Sequence, residues 1–428
     1  MRRVTFCSNL FSHSIVVVLI VFLGACSDSE STPEAANDTV ESDPGSSTTG
    51  DDLGTTPGLD ITPEPDAGSS EWITPSLGCI APADLPADPL TLVDKLEPQI
   101  SGKGQKHMLD IEVDPDTGII FAGGMPGLST WRLEGDTLSF LGTVKDKHEH
   151  ITLLGNGYVA MSNRGKSSKK TTTMTQGKVT IVDATEPSKL TVVGSLNLTD
   201  AAGMKASQGR LYVVSHDGQL HVLDVSDKSN PQITTSLSGL GSPWEIEIQG
   251  DYGYVADNSE GIKVVSLSKP DQPEIIRSIK TAGGAQDVAI SGEYLYVAVG
   301  SSGIQSFSLA DPANPVAVST MPADGGVISV SADQALVWGT TQESIVVYDV
   351  SNAEAPIPQG VEDTASWAMH VFAKDNRAYV ADWRSVNVYE LDTSAKAPDA
   401  DPSLSEVYFL GGATEGSLML TNRGGSEL

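Results

Sequence analysis

The sequence predicts an all-β protein built from tandem repeats, and three observations support this prediction. The stretch "LHVLDVSDKSNPQI" (220–233) returns downstream as "IKVVSLSKPDQPEI", "IQSFSLADPANPVA" and "IVVYDVSNAEAPIP". A valine recurs in these units at steps of 42, 42, 40 and 43 residues, at Val213, Val255, Val297, Val337 and Val380. Residues 91–392 show no sustained helical period. Repeats of this length are typical of domains in which similar small sheets pack side by side.

Each unit is predicted to contain four short strands. In the fifth unit the strands are "DVAISG", "YLYVAVG", "IQSFSLA" and "PVAVSTM", which alternate apolar and polar residues and are separated by Gly, Asp and Pro turn signals. A proline begins the fourth strand at Pro231, Pro273, Pro315 and Pro356. Because proline cannot donate to a ladder, the fourth strand is expected at the outer edge of each sheet.

Four-stranded units of about forty residues favour a β-propeller over an open solenoid. Phe121 and Val159 extend the series to seven units, and the 54-residue step from Val159 to Val213 indicates an insertion in the second unit. The segment "ADPLTLVDKLEP" (87–98) resembles a fourth strand that lacks its own unit. We therefore expect residues 88–97 to pair with "SVNVYEL" (385–391), closing seven antiparallel blades over residues 87–392 and removing exposed sheet edges.

The stretches "VTIVDATEPSKLTVVGS", "LHVLDVSDKSNPQITTS" and "IVVYDVSNAEAPIPQG" resemble the LVIVD repeat, an apolar-apolar-Val-Asp run followed by a Ser/Asn/Pro turn. The resemblance covers units two to seven and implies a β-propeller in an exported bacterial protein. The first unit, "STWRLEGDTLSFLG", lacks the Asp-Val-Ser turn and the proline. The resemblance implies fold and location, and it implies no catalytic residue.

The N-terminus is predicted to be a targeting segment. Arg2 and Arg3 precede the apolar run "SIVVVLIVFLG" (14–24), which ends at "LGAC" with Cys26 and is too short to span a membrane comfortably. This pattern resembles a bacterial lipoprotein signal over residues 1–25. The resemblance implies that Cys26 carries acyl chains such as palmitate. Ser27 after the cysteine implies an outer-membrane protein on the periplasmic or surface side. The alternative is an ordinary secretory signal.

Residues 26–86 are predicted to form a disordered tether. Residues 27–94 contain fifteen Asp and Glu and no Lys or Arg, half of the formal net charge of −30. Such a Ser/Thr/Pro/Gly-rich stretch cannot bury enough apolar surface to offset chain entropy. The acidity argues against nucleic acid as a partner. Residues 393–428 are predicted to be a linker and a partial β segment that weakly resembles the start of an Ig-like domain.

Candidate site residues lie where the first strands are expected to begin. Aligning the repeats places these residues there: Asp110, His150, Gly203, Glu245, Asp287, Val327 and His370. Other polar or aromatic residues directly precede them: His107, His148, Trp244, Gln286 and Trp367. Carboxylates and imidazoles converging on an axis could hold a divalent metal, and the tryptophans could stack on a sugar or a peptide. The alternative is that these are simply the polar residues expected at a wet channel mouth.

The insertion, "SNRGKSSKKTTTMTQGK" (162–178), is the one basic cluster of the chain. It is interpreted as a solvated loop, as a contact for anionic glycans or lipopolysaccharide, or as an intramolecular contact with the acidic tether. No nucleophile, zinc-protease or phosphate-loop motif is found.

Two functions and one purely structural role remain open from the sequence. The first is a monomeric cell-surface lipoprotein that is held on the bilayer through Cys26, with a propeller face that binds a protein or a glycan. The alternative is a metal-dependent propeller hydrolase with a His/Asp/Glu site at the channel mouth. No cofactor is predicted, although a divalent metal is possible at the channel mouth. A third reading, a purely architectural envelope module, predicts no saturable partner.

Overall fold

The computed structural model describes residues 2–5, 90–97, 107–165, 176–393 and 406–409. Within these ranges the chain forms thirty β-strands and no helix, as the sequence predicts. In particular, the described residues contain no helix long and apolar enough to cross a membrane. The strands build seven four-stranded antiparallel sheets, blades I to VII, and one separate two-stranded ribbon.

The first four blades are simple meanders of consecutive strands. Blade I contains β3 (Met108–Val113), β4 (Ile119–Gly124), β5 (Gly127–Glu134) and β6 (Thr137–Val144). Blade II contains β7 (His150–Gly155), β8 (Tyr158–Asn163), β9 (Lys178–Asp183) and β10 (Thr191–Asn197). Blade III contains β11 (Ala201–Ser207), β12 (Arg210–Ser215), β13 (Gln219–Asp224) and β14 (Gln232–Ser238). Blade IV contains β15 (Glu245–Gln249), β16 (Tyr252–Ala256), β17 (Ile262–Ser266) and β18 (Glu274–Ile279).

The remaining blades follow the same plan, except that the last one takes its fourth strand from the other end of the chain. Blade V contains β19 (Asp287–Ser291), β20 (Tyr294–Ala298), β21 (Ile304–Ser308) and β22 (Val316–Met321). Blade VI contains β23 (Ser329–Asp333), β24 (Leu336–Thr340), β25 (Ser344–Asp349) and β26 (Ile357–Asp363). Blade VII contains β27 (Ala368–Lys374), β28 (Arg377–Asp382), β29 (Ser385–Leu391) and β2 (Leu90–Leu96). The ribbon pairs β1 (Arg2–Thr5) with β30 (Glu406–Phe409).

The seven blades form a closed ring. The first strand of each blade contacts the first strand of the next, from β3 through β7, β11, β15, β19 and β23 to β27, and β27 returns to β3. The first strands therefore surround the axis and the fourth strands lie outside. The four recurrent prolines each directly precede a fourth strand, as predicted, and the residues after two of them, Val316 and Ile357, are 58% and 51% exposed. This arrangement is a seven-bladed β-propeller.

The ring closes where the sequence predicts. Strand β2 pairs antiparallel with β29, from Leu90 opposite Leu391 to Leu96 opposite Val386. Leu90 is 1% exposed and packs in the apolar core between blades VI and VII, which includes Trp338. The closing strand therefore pairs with the backbone of β29, which would otherwise be an open edge, and it also packs in the core.

Every fourth strand carries a β-bulge where it pairs with the third strand. In β14 the extra residue is Thr234, whose Oγ1 donates a hydrogen bond to the carbonyl oxygen of Val222 at 3.1 Å. A bulge increases the local twist of a strand. Because the bulge recurs in all seven blades, we expect every sheet to twist more strongly at its outer edge.

The core lies between the faces of adjacent blades. The cluster between blades IV and V, for example, combines Tyr254 and Val264 with Leu295, Val297 and Phe307, all fully buried. Because the second and third strands are covered on both faces, they read in the sequence as nearly continuous apolar runs. Polar residues therefore lie along the axis and at the two ends of the ring.

Candidate functional site

The candidate site lies at the upper face, defined here as the end of the ring where the first strands begin. In an antiparallel blade, the loops before the first strand and between the second and third strands meet at this end. The upper face therefore collects the loops that carry His107, Trp244 and Trp367, and also the two described ends of the insertion.

Equivalent positions at the start of the seven first strands form the inner ring. Its members are Asp110, His150, Gly203, Glu245, Asp287, Ser329 and His370. Blade VI differs from the sequence alignment, because Ser329 occupies this position and Val327 lies two residues earlier in the preceding loop. A shift of two residues preserves the alternation of buried and exposed side chains, so the repeat pattern could not reveal it.

Two aspartates of the inner ring fasten neighbouring blades together. Asp110 accepts hydrogen bonds from the backbone N–H groups of Ile111 and Ile151, both at 2.7 Å. Asp287 accepts in the same way from Val288 at 2.7 Å and from Val330 at 2.9 Å. In each case one bond stays in the blade and the other crosses to the next, so these carboxylates have a structural role.

Each histidine of the inner ring has a carboxylate contact that reaches across a small residue. His150 Nδ1 lies 3.1 Å from Glu245 Oε2, on the far side of blade III. A Cβ atom on Gly203 would lie 2.2 Å from Glu245 Oε1, so this pairing requires glycine in between. His370 Nδ1 lies 2.9 Å from Asp110 Oδ1, and its Nε2 lies 3.6 Å from Asp287 Oδ2, beyond the small Ser329 of blade VI.

These pairs shift the pKa values of the titratable side chains in the inner ring. Burial disfavours a charged imidazole at His370, but Asp110 and Asp287 outweigh it and raise the pKa of His370 to about 10. Burial likewise opposes the charge on His150, yet its hydrogen bond with Glu245 raises the pKa of His150. For Asp110, the effect of burial is outweighed by His370, which lowers the pKa of the carboxyl.

A second layer of charges, which the sequence analysis missed, lies one step further along the first strands. Lys205 Nζ forms an ion pair with Glu247 Oε2 at 2.7 Å. Glu112 has no hydrogen bond or ion pair within the described part of the chain, and its burial, opposed by Lys205 and aided by Asp110, raises its pKa to about 7. These three residues follow the inner ring by two positions, so the period of a strand was the signal that could have identified them.

The inner ring and the second layer line a cavity of about 370 Å³ along the axis. Among the residues that the structure describes, no three His, Cys, Asp or Glu side chains are arranged to hold a metal ion. The carboxylates and imidazoles near the axis mostly satisfy one another or the backbone. The metal site considered in the sequence analysis therefore stays a prediction without a ligand set of its own.

The aromatic platform, formed by His107, Trp367 and Trp383, lies on the upper face where blade VII meets blade I. The rings of His107 and Trp383 stack at 3.8 Å with an interplanar angle of 25°, and those of Trp367 and Trp383 lie 5.2 Å apart at 55°. Backbone hydrogen bonds connect the three segments, from Trp383 N to Trp367 O at 2.7 Å and from Met108 N to Trp383 O at 3.1 Å. Trp367 nevertheless remains 49% exposed. The platform is thus rigid and accessible to a ligand.

A second aromatic group surrounds Trp244 on blade IV. The ring of His216 contacts it edge-on at 4.8 Å, and the guanidinium of Arg164 lies 5.6 Å from its centre. Arg164 also pairs with Glu149 at 2.5 Å. This group is more closely packed than the aromatic platform, because Trp244 is covered by both partners.

Both tryptophan loops are supported by a buried aspartate at the end of the second strand. Asp257 accepts hydrogen bonds from the backbone N–H groups of Gly241 and Ser242 at 2.8–2.9 Å. Asp382 interacts with the backbone of Ser366 and accepts a hydrogen bond from Asn387 at 3.0 Å. The tetrapeptide "YVAD" occurs at both places, 254–257 and 379–382, and this was an available signal for the shared support.

The other predicted site residues lie apart from these groups. His148 is 1% exposed and packs on Gly123 at the contact of blades I and II, with its Nδ1 2.9 Å from the carbonyl oxygen of Asp146. Burial lowers the pKa of His148, so it is a packing residue with a neutral ring. Gln286 pairs through its backbone with Ala298. Cys26 lies outside the described residues, as do 166–175 of the insertion.

Comparison with known proteins adds a family and a fold. The structure described as "Structure of U3-55K" is similar, with a TM-score of 0.53 and 11% sequence identity over 71% of this chain and 98% of that chain. At this identity the likeness shows the fold alone. No curated protein matches the sequence. The family model described as "Domain of unknown function (DUF5074)" matches residues 188–416, from blade II to the segment after the ring. Since this match covers more than half of the chain, the protein belongs to the DUF5074 family.

Proposed function

We propose that this protein is an outer-membrane lipoprotein whose propeller presents its upper face to a protein or glycan partner. The observation that carries the proposal is the aromatic platform. A tryptophan that is 49% exposed, and whose neighbours are fixed by stacking and backbone hydrogen bonds, loses little conformational entropy on binding. Exposed rigid aromatics at the end of a scaffold are typical of recognition surfaces.

The rest of the upper face supports binding over catalysis. Asp110 and Asp287 fasten adjacent blades, and His150 and His370 are engaged with carboxylates. Groups committed to such contacts are poorly placed to act as nucleophile or base. The membrane anchor rests on the pattern that ends at Cys26, and the acidic tether would separate the propeller from the bilayer.

Site-specific photo-crosslinking on intact cells tests this proposal. A photoreactive phenylalanine replaces Ala365, an exposed residue two positions before Trp367, in the full-length chain, and the matched control replaces Val316, which is 58% exposed on the outer strand of blade V. We expect a discrete cross-linked partner from position 365 and none from position 316. The same products from both positions, or none from either, would contradict the proposal and leave a purely architectural role.

The alternative, a metal-dependent hydrolase, makes a separate prediction. A divalent metal would copurify in stoichiometric amount and would be lost from the variants His150→Ala and His370→Ala. A metal-free protein whose partner binding is unchanged in both variants excludes this alternative.

A further inference from the structure

We propose that the ligand of the upper face is an anionic glycan, which stacks on the aromatic platform and extends into a neighbouring basic cleft. The proposal rests on the function proposed above and specifies the chemical class of the partner. Two features that are independent in the sequence carry it: the platform itself, and a patch of positive charge beside it.

The basic cleft is a depression of about 430 Å³ between blades I and II on the upper face. Its lining includes Met125, Lys145, Asp146, Lys147 and Lys178. Three lysines thus face a single aspartate in a chain whose formal net charge is −30. A positive cleft on so acidic a protein indicates attraction for an anionic ligand.

Two of the three lysines are available to a ligand. Asp146 is satisfied by Lys178, whose Nζ lies 2.8 Å from its Oδ2, and by the hydroxyl of Thr180 at 3.1 Å. Lys145 and Lys147 are exposed, and within the described part of the chain neither side chain forms an ion pair or a hydrogen bond. These two ammonium groups are free to contact carboxylates or sulfates.

A backbone hydrogen bond joins the cleft to the platform. Met125, which lines the cleft, donates its backbone N–H to the carbonyl oxygen of His107 at 3.0 Å, and His107 stacks on Trp383. Burial and the nearby charge of Arg384 lower the pKa of His107, so a neutral ring stacks on the indole while the exposed Arg384 supplies a further cation beside the platform. A ligand chain lying on Trp367 can therefore continue over Met125 to Lys145.

The combination favours a glycan over an acidic peptide. The C–H groups on one side of a pyranose ring are partially positive and match the negative face of an exposed indole. Acidic sugars repeat a negative charge along a stiff chain, so one residue can stack while the next ones meet the lysines. An acidic peptide would satisfy the lysines but has no comparable flat partner for the platform.

Binding of the full-length chain to paired polysaccharides tests the proposal. The probes are polygalacturonate with its methyl ester, dextran sulfate with dextran, and poly-L-glutamate, with each dissociation constant measured at low and high salt. The variants are Lys145→Gln/Lys147→Gln and Trp367→Ala. The matched controls are Lys269→Gln, on a loop at the opposite end of the ring, and Val316→Ala.

We expect at least one anionic glycan to bind more tightly than its neutral counterpart and than poly-L-glutamate. The double lysine variant should weaken that binding about tenfold and flatten its salt dependence, because exposed ion pairs are individually modest and screened by salt. Trp367→Ala should weaken it about tenfold at both salt concentrations, and both controls should match the wild type.

Equal binding of charged and neutral glycans, tighter binding of poly-L-glutamate, or an equal effect of Lys269→Gln would overturn the inference. The photo-crosslinking experiment separates failure of this inference from failure of the proposed binding function. A partner captured from position 365 together with charge-independent glycan binding would refute the anionic character of the ligand and leave the binding face intact. No capture and no glycan binding would refute both.

Discussion

The imidazole of His370 lies between two carboxylates, next to the contact between blades VII and I that closes the ring. Its contacts reach Asp110 of blade I and Asp287 of blade V. Ser329, which lies between His370 and Asp287 in the inner ring, is too small to intervene. The paired imidazole therefore stabilises the fold only while it is protonated. Its pKa of about 10 in the folded state lies above the ordinary value of 6.5, so this stabilisation is complete below pH 6.5 and is lost as the pH rises toward 10.

The variant His370→Gln should reveal this dependence. Relative to the wild type, we expect it to lose about 2 kcal/mol of unfolding free energy at pH 6 and progressively less toward pH 10. The measurement is urea denaturation across this pH range. His221→Gln is the control, because burial lowers the pKa of His221 and its contribution should be constant between pH 7 and 10. An equal loss for His370→Gln at both ends of the range would refute the ion pair.

Substitution of Glu112, unlike that of His370, is expected to stabilise the protein. Its pKa of about 7 exceeds the ordinary 4.5, so ionisation destabilises the folded state as the pH rises from 4.5 to 7. Glu112→Gln should therefore raise the unfolding free energy at pH 8 by roughly 1–2 kcal/mol and have little effect at pH 4.5. The matched variant Glu247→Gln breaks the pair with Lys205 and should be destabilising at pH 8. Destabilisation by both variants would show that Glu112 is satisfied in the folded protein.

At the scale of single elements, the seven-residue strand β2 is the one that closes the ring. It completes blade VII, covers the edge of β29 and places Leu90 in the core between blades VI and VII. Without it, the third strand of the last blade would be an exposed edge, which promotes aggregation.

Two substitutions in β2 separate the effect of a charge placed in the core from that of a charge placed on the surface of the same strand. Leu90 is 1% exposed and Leu92 is 45% exposed. We expect Leu90→Asp to lower the unfolding free energy by about 3 kcal/mol or more, because it buries a carboxylate without a partner, and Leu92→Asp to change it by about 0.5 kcal/mol. Thermal denaturation and size-exclusion chromatography provide the measurement. Equal melting temperatures for the two variants would mean that β2 does not close the ring.

On the scale of the whole molecule, the proposed anchor decides where the ring operates. If Cys26 is acylated, the full-length protein should incorporate an alkyne analogue of palmitate and sediment with membranes. Cys26→Ser should abolish labelling and move the protein to the soluble fraction, while Cys79→Ser should change neither. Retention of Cys26→Ser in the membrane fraction would refute the lipoprotein interpretation. If the lipoprotein interpretation holds, the ribbon of β1 with β30 exists only in the precursor, because β1 lies within the proposed signal.

Local patterns determined the architecture. Alternating residues, the spaced valines and the prolines before each fourth strand predicted seven four-stranded blades, and the likeness of residues 87–98 to a fourth strand predicted the closure that β2 makes. These features are readable because backbone hydrogen bonding and the pleat act over a few residues and repeat with the chain. The bulge in every outer strand was not predicted, since no single residue type marks it.

Only the tertiary structure decided which residues meet. His107 comes from the start of the propeller sequence and the two tryptophans, Trp367 and Trp383, come from its end. They meet because the ring closes between blades VII and I. The pairing of His150 with Glu245 depends on the missing side chain of Gly203. Whether a polar residue faces a partner, a cavity or solvent depends on distances across the axis, and those are set by the closure and twist of seven sheets together rather than by any stretch of the chain.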